Sequence, residues 1–154
     1  MTKFVSLEEA QTLIGLEVGV TEWLQVTQEK VNQFAEATGD FQFIHIDQER
    51  ARRETPFGGT IAHGFLTLSL LSMLSSQTDT IKIKGANVFI NYGLDKVRFI
   101  NPVKVGKRIR ARFELLSALE KSPGQHLLKH KATVEIEGDD KPAMIAEWLG
   151  MSIQ

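Results

Sequence analysis

The chain has 154 residues, 42% of them apolar and 24% charged, which suits a globular protein with a buried core. Its 18 basic and 19 acidic residues leave a formal charge of −1, without the clustered basic excess that nucleic-acid binding demands. There is no cysteine, so disulfides, thiol nucleophiles and cysteine zinc sites are excluded. With no basic-then-apolar leader and no apolar run long enough for a bilayer, we expect a cytoplasmic protein with one domain over residues 1–154.

Residues 3–15 have helical spacing at Phe4, Leu7, Ala10, Leu13 and Ile14, with Ser6 as an N-cap ahead of Glu8 and Glu9. Leu16 to Val26 alternates as a strand does. Thr27 caps a predicted helix that runs to Thr38 and ends at Gly39. Residues 40–46 have no clean period and read as a loop. Asp47 then caps a short polar helix, Gln48 to Glu54, and Pro56-Phe57-Gly58-Gly59 forms a turn. From Ile61 to Ser76 the chain is apolar almost all round, which predicts a buried central helix.

Strands follow, at Gly85 to Tyr92, Leu94 to Ile100, Lys107 to Leu119, His126 to Glu137 and Ala143 to Met151. Gly93, between the first two, signals a bulge or a close backbone approach. Helices gathered in the first half and strands in the second give an α+β class, with an antiparallel sheet wrapped around one apolar helix.

The chemistry concentrates in two stretches. Asp40 and His45 lie five positions apart, and if the segment bends they converge on one water. Adding water across an activated double bond needs a base for the water and an acid for the adjacent carbon, which an imidazole and a carboxyl can supply. Taken alone, Asp40 also reads as a loop residue bonding to nearby amides, and His45 as a packing residue. His63 and Gly64 lie near the start of the apolar helix, where backbone amides lack intrahelical acceptors, and the Gly64 amide can bond a carbonyl oxygen that becomes an enolate. His63 reads either as a structural residue at the helix start or as a ligand. His45, Asp47 and His63 could be drawn into a metal site, but no ligand spacing supports one, and no metal is expected. Ser69 and Ser72 lack the sequence context of an activated nucleophile. Lys82, Lys84, Lys96, Arg98, Lys104, Lys107 and Arg108 are either a solvated surface or a landing area for phosphates.

Together, the Asp40-x-x-x-x-His45 pair, the Phe57-Gly58-Gly59-Thr60-Ile61-Ala62-His63-Gly64 block and the Tyr92-Gly93-Leu94-Asp95-Lys96-Val97-Arg98-Phe99 block resemble the MaoC-like dehydratases, nearest to their nodulation-protein-N-like branch. The resemblance spans roughly residues 15–150. It implies a hotdog fold and a homodimer whose sheets join edge to edge. It also implies an (R)-specific enoyl-CoA hydratase or (3R)-hydroxyacyl dehydratase, acting on acyl-CoA or acyl-carrier-protein thioesters without a cofactor. By position, Asp40 and His45 would be its catalytic pair and the Gly64 amide its oxyanion donor. Ser72, Phe65 and His63 would be further substrate contacts.

One departure stands out: the hydratase motif usually reads Asp-x-Asn-Pro-x-His, and Gln42-Phe43 replaces Asn-Pro here. Losing the proline frees a φ and restores an amide donor. A non-catalytic acyl-thioester binder or partner subunit is the alternative. A thioesterase would need a carboxylate on the 61–76 helix, which has none.

Overall fold

The computed structural model describes residues 3–154. The segment expected as one helix over 3–15 divides into strand β1 (Lys3–Val5) and helix α1 (Leu7–Gln11). Ser6 separates them as the expected N-cap. Its Oγ accepts from Glu9 N–H while the Glu9 carboxylate accepts from Ser6 N–H, a reciprocal cap that fixes the helix start. β1 pairs in parallel with β4 (Ile81–Ile83), a strand the sequence pattern did not reveal. With α1, this ribbon buries Val5, Ala10, Ile81 and Ile83 against Leu115, Ala118 and Leu128.

The stretch 16–26 forms two short strands, β2 (Glu17–Val20) and β3 (Leu24–Gln25). Thr27 caps α2 (Gln28–Thr38) through its side chain, and Gly39 closes it at φ 81°, where a residue without Cβ is favoured. The expected loop at 40–46 contains a one-turn helix, α3 (Phe43–Ile46). At four residues it spans little more than one 3.6-residue turn, so no repeating pattern could announce it. Asp47 then caps α4 (Gln48–Glu54) as anticipated.

The central helix begins at Gly64, three residues later than its apolar pattern, and is interrupted at Leu70. It runs as α5 (Gly64–Ser69) and α6 (Leu71–Ser76). Ser69 Oγ donates to the Phe65 carbonyl at 2.7 Å, a competing bond of the kind that bends helices. Leu66, Leu70, Leu71 and Leu74 are buried, but Phe65 is 69% exposed, so the helix is not covered on all sides.

Beyond it lie β5 (Val88–Phe99), β6 (Arg108–Ser122), β7 (Gln125–Ile136) and β8 (Met144–Ile153). The two strands expected at 85–100 are one strand, with register shifts between Asn91 and Gly93 and between Leu94 and Lys96. The antiparallel sheet has the order β2-β6-β7-β8-β5, with β3 also on β6. Its inner face carries the fully buried row Phe113, Ala132 and Ala146, directly paired across three strands. The two alanines there let the helix leucines approach the sheet closely. Among the described residues, no helix is long and apolar enough to cross a membrane.

One row further along β7, His130 is buried between Leu115 and Trp148, and its Nε2 has no protein hydrogen-bond partner. Burial pushes its pKa from 6.5 down to about 4, so the ring is neutral at pH 7. Between those values the unfolded chain binds the proton that the folded chain refuses. Stability is therefore intact above about pH 6.5 and falls as pH drops towards 4, by on the order of 3 kcal/mol. We expect His130→Leu to flatten this part of the Tm-against-pH curve. An equally steep acid fall in the variant would assign the loss to other groups.

Candidate active site

The site forms where α3 meets the start of α5. His45 is 6% exposed, and its Nδ1–H donates to the Ile61 carbonyl at 2.7 Å. That bond fixes the tautomer and leaves the Nε2 lone pair free. Ile61 N–H donates in return to the Ile44 carbonyl at 2.9 Å, so the short turn is pinned from both directions. Desolvation lowers the His45 pKa. The hydrogen bond to Ile61 opposes this, the neighbouring His63 adds to it, and Asp40 opposes it. The net displacement is downwards, so His45 enters neutral solution as a free base.

His63, 3% exposed, caps α5. Its ring stacks on His45 with centroids 3.8 Å apart, and tilts against Phe34 at 4.9 Å. Its Nε2–H donates to the Asp40 backbone carbonyl at 3.0 Å, and its buried Nδ1 has no protein partner. Asp40 itself is exposed, and its Oδ1 accepts from Gln42 N–H at 3.2 Å. One donor atom each from Asp40, His45 and His63 lies within 4.8 Å of the others. The sequence-predicted pair thus meets in space, and His63 joins it. Asp47, which completed the metal set drawn from sequence, instead caps α4 by accepting from Arg50 N–H.

Gly64 is the first residue of α5, so its N–H precedes the helix's own bonding pattern. A Cβ there would stand 3.1 Å from the Phe99 ring, which crosses edge-on to Phe65 at 6.0 Å. His45, Gly64, Thr67 and Phe99 line one open cavity. Ser72 lies further down the helix, where its Oγ accepts from Asn91 at 3.4 Å in a second cavity that excludes the Asp40–His45 pair.

Position 43 is the first residue of α3, where a proline's missing N–H costs nothing. Phe43 keeps the helix and adds an aromatic face beneath the Arg50 guanidinium at 3.9 Å. The basic middle region is largely neutralised. Lys84 pairs with Glu9, Lys96 with Glu147, Lys107 with Asp139 and Arg108 with Glu137.

The residues that sequence reading missed are supports. Gln28 Nε2 donates to the His45 carbonyl at 2.7 Å, and Thr60 Oγ1 lies 2.6 Å from Gln28 Oε1 and 2.8 Å from Gln48 Oε1. Gly59 leaves room for Gln48, whose Nε2 would be 2.5 Å from an added Cβ. Glutamines on polar helix faces carry no sequence signal for such a task.

The profile of the MaoC-like domain matches residues 9–137. The chain belongs to the MaoC-like family. It is 47% identical over 145 residues to nodulation protein N of Rhizobium leguminosarum bv. viciae, covering 94% of this chain and 89% of that one. It is 48% identical over 147 residues to 3-hydroxyacyl-thioester dehydratase Z of Mycobacterium tuberculosis, covering 96% and 95%. An (R)-hydratase from A. caviae superposes with a TM-score of 0.70 at 26% identity, covering 89% and 94%. The fold of this MaoC-like chain is therefore the hotdog arrangement, and its relatives include dehydratases and hydratases.

Gln28→Ala would strip the bonds to the His45 carbonyl, Asn32 and Thr60 together. We expect a loss of about 1–2 kcal/mol, read as a lower urea midpoint at unchanged slope. An unmoved midpoint would show that the backbone bonds at Ile61 hold the turn alone.

Proposed function

We propose that the protein is a hydro-lyase that adds water reversibly to trans-2-enoyl thioesters, as an (R)-specific enoyl-CoA hydratase or (3R)-hydroxyacyl thioester dehydratase. The observation that carries this reading is His45: buried, held by Ile61 in the tautomer with a free Nε2, and within reach of Asp40.

In this reading the thioester oxygen bonds to the Gly64 amide, which stabilises the enolate as charge develops. A water sits between Asp40 and His45, with Asp40 accepting one of its hydrogens to orient it. His45 Nε2 takes the other proton as the water oxygen bonds to the β-carbon. The imidazolium then returns that proton to the α-carbon on the same face, and the enolate collapses to the thioester. Atoms and charge balance with no further reactant. The depressed His45 pKa suits the base role, since the free base is present at neutral pH. His63 is assigned to holding Asp40 and His45 in place, and Phe65 to the rim of the substrate entrance.

We further propose that two copies associate through β5. It is a 12-residue edge strand with Val88, Ile90, Tyr92, Leu94 and Phe99 all exposed, an edge that invites pairing when left uncovered.

His45→Gln and Asp40→Asn should each lower crotonyl-CoA hydration by roughly 10²–10⁴-fold with an unchanged fold. Near-wild-type turnover in either would remove that residue from the mechanism. The acid limb of kcat/KM should lie below pH 6.5, because activity is lost only as His45 takes up its proton. A limb above that value would assign it to another group. Ile90→Lys should shift the mass measured by light scattering from dimer to monomer, and an unaltered mass would place the interface elsewhere.

A further inference from the structure

The cavity beside His45 offers a guest few polar side chains. Those that line it are His45, Thr67 and Asn101. His45 spends its ring N–H on the Ile61 carbonyl and keeps a lone pair, so it can only accept. Asn101 Nδ2 donates to Asp139 Oδ2 at 3.1 Å and to the Lys141 carbonyl at 3.4 Å, which uses both of its hydrogens. Thr67 is left as the lining side chain with a hydrogen to give.

Thr67 is 3% exposed, and among the described residues its hydroxyl has no protein partner. Other buried threonines spend theirs on the fold: Thr21 donates to the Glu22 carbonyl, Thr78 to that of Val20 and Thr80 to that of Ser75. The unpartnered side-chain atoms sealed from solvent among the described residues are ring nitrogens of His63, His126 and His130, and the Thr67 oxygen is not one of them. It therefore opens onto the cavity that its residue lines. Thr67 N–H is committed to the His63 carbonyl at 3.3 Å, so only the hydroxyl is available. Helical side chains lean towards the helix N-terminus, which carries this one back over the turn that holds Gly64. Gly64 has no side chain to stand in its way.

A buried hydroxyl left unbonded is costly, and an acceptor on a guest removes that cost. Hydration of an enoyl thioester brings two oxygens to the site. A donor to the water would draw density from the atom that attacks. A donor to the thioester oxygen would stabilise charge as it develops. We propose that Thr67 is a catalytic residue whose hydroxyl gives the thioester oxygen a second hydrogen bond, beside that of the Gly64 amide, as the enolate forms. The proposal rests on the thioester reading above and adds a residue to it.

Thr67→Val keeps the shape and removes the donor. Because the hydroxyl bonds nothing in the protein, Tm should not fall. Hydration of crotonyl-CoA and trans-2-octenoyl-CoA should lose roughly 10–10²-fold in kcat with KM within about twofold, since the bond strengthens in the transition state. Thr67→Ser should recover most of the loss, and Thr67→Ala replaces the valine variant if that one does not fold. A second readout needs no turnover. The absorption of trans,trans-2,4-hexadienoyl-CoA moves to the red when its carbonyl is polarised, and Thr67→Val should diminish that shift in a His45→Gln background. A kcat within about twofold of wild type, a loss confined to KM, a loss that serine does not rescue, or an undiminished red shift overturns the inference while leaving the thioester reading intact. Failure of the wild type to hydrate either thioester overturns both.

Discussion

The hydrogen bond from His45 Nδ1 to the Ile61 carbonyl is the contact on which the site depends. It does three things at once. It selects the tautomer, aims the ring, and ties the α3 turn to the segment that leads into α5. Ile61 does not float, since the Ile61–Lys104 bridge and the flanking bonds from Ala62 N–H to Val103 and from Val105 N–H to Thr60 hold it to the next segment. Gly64 follows three residues later. The separation of imidazole and Gly64 amide is thus set by backbone, which is stiffer than any arrangement of long side chains.

The same packing sets the electrostatics. The His63 ring stacked at 3.8 Å adds to burial in disfavouring charge on His45, and both rings are removed from water. His63 bonds the Asp40 carbonyl, so the residue that biases His45 towards neutrality also anchors the backbone of its carboxylate partner. Charge state and geometry are therefore coupled through one ring, and a substitution at His63 acts on both.

Much of this was legible in the sequence because it follows from strong local rules. Ser6, Thr27 and Asp47 announce their helices by capping, and Gly39 ends one by adopting a positive φ. The long β6 and β7 strands alternate cleanly because one face is buried and the other is wet. The Asp40–His45 spacing was equally visible, and the two side chains lie near each other, whereas the apolar pattern placed the helix start three residues early, at Ile61. What stayed hidden depends on tertiary contact. β4 is three residues long and exists by pairing with β1, and β5 reads as two strands because its register shifts flank Gly93. The Gln28–Thr60–Gln48 network joins residues up to 32 positions apart, each unremarkable in its own helix or loop.

The groove beside the helix follows from where the sheet is thin. Ala132 and Ala146 let the leucines of α5 and α6 seat against β7 and β8, and that contact fills the core. One row on, His130 and Trp148 replace the alanines, and the helix face there carries Ser72 and Ser75 in place of leucine. Large rings on the sheet hold the helix off, small polar residues on the helix do not fill the gap, and a cavity results. Its far wall is β5, the edge strand, which has a neighbour on only one side. The solid core and the groove are consequences of one change in side-chain size along the inner face.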